Sequence, residues 1–260
     1  MTASDPFWEG LDAHLRGIDL PIDSIGKETA AGQFEFRLKP TTAIGAAHNV
    51  DLLKREVKRY ADDLGRSCSF SAMLPDGKTS SGLHLHLHLV NSLNQYVFFK
   101  HEDELSAALK SVLGGLMVTM CDFFLCFAPT EESYERLACG SDYVPQTVSW
   151  GGNNRTVALR LPESVVAWRH IEHRVAGADA NPYAATWAIL AGVHHGLRHK
   201  PDPGEQMYGK AWETRYGLKR FPHTLKEAEI LFNGSELVAA YLNETVRRQL
   251  FAVGLDTTGE

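Results

Sequence analysis

Within the run Ser80 to Leu89 the chain alternates strictly from Leu83 on, with leucines at 83, 85, 87 and 89 and histidines at 84, 86 and 88. Successive side chains of an extended strand point to opposite faces, so this pattern predicts a strand with one leucine face for a core and three imidazoles on the other. Alternation also predicts a strand over 33–38, where Gln33, Glu35 and Arg37 share a face. Elsewhere the spacing is helical. Residues 7–17 predict a short helix, and over 50–64 the positions Leu53, Val57, Tyr60, Ala61 and Leu64 form one apolar stripe, with Gly65 as the stop. Residues 104–127 predict a long buried helix closed before Pro129, and 182–198 a helix that opens with proline in its first turn. Thr224-Leu225-Lys226-Glu227 has the form of a capping box and opens a short terminal helical segment at about 223–252, divided by Asn233-Gly234.

Further strands are predicted over 68–74, 146–150, 155–161 and 171–175. The Pro75-Asp76-Gly77 turn pairs the first of these with the histidine strand as a hairpin, and Gly151-Gly152-Asn153-Asn154 predicts a second hairpin. Because several strands follow one another directly, the expected class is α+β: a single domain over 1–260 with a largely antiparallel sheet flanked by helices. No Gly-rich phosphate loop supports a doubly wound alternative, and no internal repeat is visible.

A chain of 260 residues, 44% hydrophobic and 22% charged, can bury a substantial core. Its formal charge of −6 and its scattered basic residues argue against nucleic acid as a partner. The most apolar stretch, 112–128, is interrupted by Gly114, Gly115, Thr119 and Asp122 and reads as a buried helix rather than a membrane span. No secretory signal pattern opens the chain. Cys68, Cys121, Cys126 and Cys139 lack C-x-x-C spacing, which predicts free thiols and fits a reducing cytoplasm.

Carboxylates inside strand-like or apolar segments are costly unless a cation offsets them, which singles out Glu28, Glu35 and Glu172. Each alone also suits a solvent-facing strand edge, as the histidines suit a half-exposed strand. Taken together they point to a carboxylate-plus-histidine site for Mg²⁺ or Mn²⁺, ions that usually serve phosphate substrates. Arg136, Arg155, Arg160 and Arg174 lie in or near the later strands, where a guanidinium can clamp a carboxylate or phosphate or make a surface salt bridge.

Five segments carry a resemblance. They are Glu28-Thr29-Ala30-Ala31-Gly32-Gln33-Phe34-Glu35, Ser81-Gly82-Leu83-His84-Leu85-His86, Ser133-Tyr134-Glu135-Arg136-Leu137, Ser149-Trp150-Gly151-Gly152-Asn153-Asn154-Arg155-Thr156, and Ile171-Glu172-His173-Arg174 through Ala178-Asp179-Ala180-Asn181-Pro182-Tyr183. In this order they resemble the catalytic domain of the glutamine synthetase family, closest to its γ-glutamylputrescine and γ-glutamylpolyamine synthetase branch. The resemblance implies an ATP-dependent ligase that joins the γ-carboxylate of glutamate to a primary amine or ammonia through γ-glutamyl phosphate. It also implies that Glu28 and Glu35 hold one Mg²⁺ or Mn²⁺ while His84 and Glu172 hold another. By the same likeness His86, His88, Arg155 and Arg160 contact ATP, Arg155 stabilises developing charge, and Arg136 with Arg174 binds glutamate.

Against the family pattern the chain differs at several places. The N-terminal β-grasp domain is expected to be absent, which implies a homo-oligomer or a hetero-oligomer with a protein supplying that domain. The loop Cys139 to Pro145 corresponds, with one extra residue, to that in which ammonia-using members place a glutamate near the amine; there Asp142 is either a substitute general base or an ordinary loop acid. Thr79, Ser80, Glu132, His88 and His170 also depart from the common residues. The alternative function is a non-catalytic nucleotide- or metal-binding partner subunit derived from this family.

Overall fold

The computed structural model describes residues 6–101, 104–163 and 169–247. By its internal contacts the chain divides into two units, Met1–Phe70 and Ser71–Glu260.

In the first unit, helix α1 (Pro6–Gly17) buries Leu11 and Leu15 completely, one helical turn apart. They meet Leu20, Ile22, Leu53 and Val57. Strands β1 (Ile22–Lys27) and β2 (Phe34–Leu38) form an antiparallel hairpin, Gly26 opposite Glu35 and Lys27 opposite Phe34. Helix α2 (Ala43–Asp63) begins seven residues before the predicted start at 50. Its first turns carry little apolar periodicity, and the start is set instead by Thr42, whose hydroxyl accepts the Gly45 N–H at 3.3 Å. Gly65, at φ +65°, ends it as expected.

The second unit is built on a four-stranded sheet in the order Leu85–Leu87, Ile171–His173, Leu159–Arg160, Trp150–Gly151. Strand β3 (Leu85–Leu87) carries the histidine motif. It does not pair with residues 68–74, which form no strand. Those residues contribute one bridge, Met73 to Ser80, across the 75–78 turn. The histidine strand pairs antiparallel with β8 (Ile171–His173), Leu85 opposite His173, His86 opposite Glu172 and Leu87 opposite Ile171. Long-range pairing won over the local turn because β8 offers a fully buried partner.

Between them in sequence lie β4 (Phe99–His101) and β5 (Glu104–Leu105), a separate two-stranded pair. The helix predicted over 104–127 is shorter. Ser106 caps α3 (Ala107–Thr119), accepting the Leu109 N–H at 3.1 Å, and a 3₁₀ turn at Phe124–Cys126 follows. Phe123, Phe124, Leu125, Cys126 and Phe127 are all buried, so no apolar stripe distinguished helix from irregular chain there. The four cysteines are free thiols, with Cys121 and Cys126 buried.

Helix α4 (Glu131–Ala138) starts with a capping box of Thr130 and Ser133. Strands β6 (Trp150–Gly151) and β7 (Leu159–Arg160) run parallel rather than as the predicted hairpin, Trp150 beside Leu159. Asn154 sets the connection: its carbonyl accepts the Thr156 N–H and hydroxyl, and its amide donates to the Gly209 carbonyl at 2.7 Å. A long-range anchor of this kind is invisible to turn propensities.

Helix α5 (Pro182–His199) is capped by Asn181 and crosses α3 at glycines. A Cβ on Gly115 would lie 2.3 Å from the Gly196 Cα and 2.4 Å from the Gly192 carbonyl oxygen. The segment ends in α6 (Leu225–Gly234) and α7 (Glu236–Tyr241), with Thr224 and Ser235 as caps, and the predicted remainder to 252 lies beyond the described residues from 248 on. No described helix is long and apolar enough to cross a membrane. The architecture is α+β, with every sheet contact antiparallel except β6 to β7.

Candidate active site

Alternation along β3, β8 and β7 divides the sheet into two faces. Leu85, Leu87, Ile171 and Leu159 join the core, while His86, Glu172 and Arg160 stand side by side on the other face. His84 and Arg174 extend that face by one alternation step.

Glu172 is its centre. The side chain is 4% exposed, and its two oxygens meet three partners. Arg174 donates Nη1 to Oε1 at 2.6 Å, Arg160 donates Nη1 to Oε2 at 2.8 Å, and His84 Nδ1 lies 3.2 Å from Oε1. Burial alone would raise the Glu172 pKa, but His84, Arg174 and Arg160 outweigh it and hold the carboxyl well below the usual range. Two guanidiniums and an imidazole therefore keep a buried carboxylate ionised.

The surrounding groups are fixed in turn. Arg160 also donates Nε to Asn153 Oδ1 at 3.1 Å, and Arg174 donates Nη2 to the Tyr143 carbonyl at 2.9 Å. His84 is pushed toward its neutral form, chiefly by desolvation and further by Arg174 and Arg136, against the pull of Glu172. A neutral imidazole keeps a lone pair on one ring nitrogen for a ligand.

His86 and His88 do not join this hub. His86 Nδ1 lies 2.7 Å from His170 Nε2, and the His88 ring sits 5.1 Å from His170 and 4.8 Å from Tyr96, centroid to centroid. Arg136 is 2% exposed and donates to the main-chain carbonyls of Val175 at 2.8 Å and Arg174 at 3.3 Å, so it braces the strand that carries the hub. Burial lowers its pKa to about 10, which still leaves it charged at neutral pH. Arg155 lies over the Tyr143 ring, 5.6 Å from its centroid, and Asp142 accepts from Lys210 Nζ at 2.9 Å with both side chains about half exposed.

Glu28 and Glu35 lie in the β1–β2 hairpin of the first unit, where both line an open pocket with Lys27 and Arg37. Glu35 accepts from Arg37 Nε at 2.6 Å, and Glu28 accepts from the Thr29 N–H at 3.1 Å. Among the described residues no three His, Cys, Asp or Glu side chains converge on one ion. Within each unit the donor types nonetheless suit a hard divalent cation: the Glu28 and Glu35 carboxyl groups in the first, and the Glu172 carboxylate with the His84 imidazole in the second.

Three contributors escaped the sequence reading. Asp179 accepts from the Thr130 and Ser133 hydroxyls at 2.6 Å each, tying α4 to the segment after β8, and its charge acts on Arg136. An acid within Ala-Gly-Ala-Asp-Ala carried the same signal that singled out Glu172. Asn153 orients Arg160, and His173, 1% exposed, lies against Phe127 on the core side of its strand, ring centroids 4.5 Å apart and tilted by 39°.

Residues 2–254 match the family described as "Glutamine synthetase, catalytic domain". The chain is 36% identical over 228 residues to the γ-glutamylputrescine synthetase PuuA of Escherichia coli, covering 86% of this chain and 47% of that protein. It is 32% identical over 240 residues to type-1 glutamine synthetase 2 of Dictyostelium discoideum, covering 89% and 45%. To the glutamate–methylamine ligase of Methyloversatilis universalis it is 28% identical over 255 residues, covering 92% and 56%. Among solved structures the GmaS/ADP complex superposes with a TM-score of 0.84 at 25% identity, covering 95% of this chain and 58% of that one. The chain thus spans about half the length of the curated relatives it matches.

Proposed function

The chain belongs to the glutamine synthetase catalytic-domain family, and on that premise we propose that it carries the amide-forming core of an ATP-dependent glutamate–amine ligase. The observation that carries this reading is the Glu172 hub, in which a buried ionised carboxylate, a neutral histidine and two fixed arginines share one sheet face. Relatives named for putrescine and methylamine ligation favour a primary amine as acceptor.

A carboxylate is a poor acyl donor. Transfer of the γ-phosphoryl group of ATP to the glutamate γ-carboxylate releases ADP and gives γ-glutamyl phosphate. The amine nitrogen then attacks the carbonyl carbon, phosphate leaves, and the proton lost by the amine passes to a base. We assign that base to Asp142, which already holds an alkylammonium, that of Lys210. Arg160 and Arg155 would bear on the nucleotide phosphates, His86 and His88 on the nucleotide, and Arg174 on glutamate with Arg136 supporting it from behind. His84 and Glu172 would hold one Mg²⁺ or Mn²⁺, and Glu28 with Glu35 another. Such ions supply neutralisation of the transferring phosphoryl charge. Assembly with further copies, or with a second polypeptide, belongs to the same proposal.

The test is ADP release with ATP, Mn²⁺ and glutamate, comparing putrescine, methylamine and ammonium with no amine. Amine-dependent turnover is the expected result. His84→Ala and Glu172→Gln should each abolish Mn²⁺-dependent nucleotide binding while the circular dichroism spectrum is retained. Unchanged binding in both variants refutes the metal assignment, and ATP binding without turnover on any amine refutes the ligase reading.

A further inference from the structure

Helix α5 carries His194, His195 and His199 near its C-terminal end, on the second unit and outside the hub. His194 is committed: its Nδ1 lies 2.8 Å from the Tyr241 hydroxyl of α7, and the two rings meet edge to face. His195 and His199 are one turn apart, and their rings lie 4.4 Å apart, centroid to centroid, at an interplanar angle of 34°.

The scaffold beneath them is rigid. Gly196, between the two histidines, packs so closely on α3 that a Cβ there would sit 2.2 Å from the Ser111 carbonyl oxygen. The last turn is closed by Lys200, in the left-handed region at φ 52°, whose N–H donates to the Gly196 carbonyl at 2.8 Å. His199 is exposed and His195 partly so, leaving the pair open to solvent.

From this geometry we propose that His195 and His199 form a two-imidazole chelate for a borderline divalent transition-metal ion, Cu²⁺, Ni²⁺ or Zn²⁺. Two nitrogens bound to one such ion at about 2.0–2.1 Å each are at most about 4.2 Å apart, a span these rings reach by rotation about their side-chain bonds. Imidazole nitrogen favours these ions over Mg²⁺, and the usual order of stability places Cu²⁺ first. Desolvation and the neighbouring imidazoles of His199 and His194 lower the His195 pKa, which keeps that ring unprotonated and ready to ligate near neutral pH. The positions left open on the ion would be filled by water or by a donor from outside the chain.

Equilibrium dialysis of the full chain against Cu²⁺, with Mg²⁺ in large excess to occupy carboxylate sites, tests the assignment. His199→Ala and His195→Gln should each remove one bound equivalent, or weaken it at least tenfold, while His194→Ala leaves the count unchanged. Because His199 is exposed, its alanine variant keeps the fold, and circular dichroism checks this. The wild-type Cu²⁺ spectrum in electron paramagnetic resonance should show nitrogen splitting that is reduced in both variants. If His199→Ala holds as many equivalents as wild type with equal affinity, or if His194→Ala loses the same equivalent, the chelate does not exist. Neither ATP nor glutamate enters the measurement, so this outcome is independent of the ligase reading.

Discussion

Glu172→Gln removes the charge at the centre of the hub while keeping its shape. In the native protein its carboxylate accepts from Arg174 at 2.6 Å and Arg160 at 2.8 Å, and both Glu172 and Arg174 side chains are 4% exposed. Removing one member of a buried pair strands the other, at a cost of about 3–5 kcal/mol. The glutamine amide makes this worse, since its NH₂ group must face a guanidinium donor on one side. Arg174→Met deletes the 2.6 Å bond and the contact to the Tyr143 carbonyl, but leaves Glu172 with Arg160 and His84, so about 2–3 kcal/mol is expected. In the double variant neither group is stranded by the other's loss. Its destabilisation should fall short of the sum of the single effects by about 2 kcal/mol. Urea unfolding of the four proteins, read from midpoints at constant slope, measures the coupling. Additivity within about 0.5 kcal/mol would refute the argument that Glu172 and Arg174 are bound to each other in a dry site.

His173 should make the protein acid-sensitive. It is 1% exposed, and burial drives its pKa down to about 3, whereas in the unfolded chain a histidine takes up a proton below about 6.5. Stability should therefore fall as pH drops from 6.5 toward 3, by no more than about 5 kcal/mol, and His173→Leu should flatten that part of the stability profile. The depressed Glu172 acts in the same sense below the usual carboxylate range, so a residual slope under pH 4 is expected in the variant. Gly115→Ala should lower stability by about 2 kcal/mol or more, because its Cβ would meet the Gly196 and Gly192 backbone rather than a movable side chain. A urea midpoint equal to wild type would mean that α3 and α5 do not cross at these glycines.

What the residues alone determined was the set of local preferences. Period-two leucines put His84 and His86 on the face opposite the core, helical spacing marked α1, α2 and α5, and a carboxylate between Ile171 and His173 was recognisable as expensive. Glu28 with Glu35, and His84 with Glu172, were paired only through a family likeness; in the structure Glu28 and Glu35 line one pocket, and His84 lies 3.2 Å from Glu172. Partner choice was not legible. The histidine strand took β8 rather than 68–74, β6 and β7 run parallel across a loop anchored at Gly209, and α3 stops at Thr119. Arg136 shows the same limit, since nothing local distinguishes a substrate clamp from a buried brace donating to two carbonyls. Periodicity reports which face of a segment prefers to leave water, and that is a property of the segment itself. Which strand lies alongside it, and which buried donor meets which acceptor, depends on contacts between residues such as His84 and Glu172, 88 positions apart in the chain. Only the folded packing brings such groups within hydrogen-bond reach, so it alone decided which of the marked residues meet.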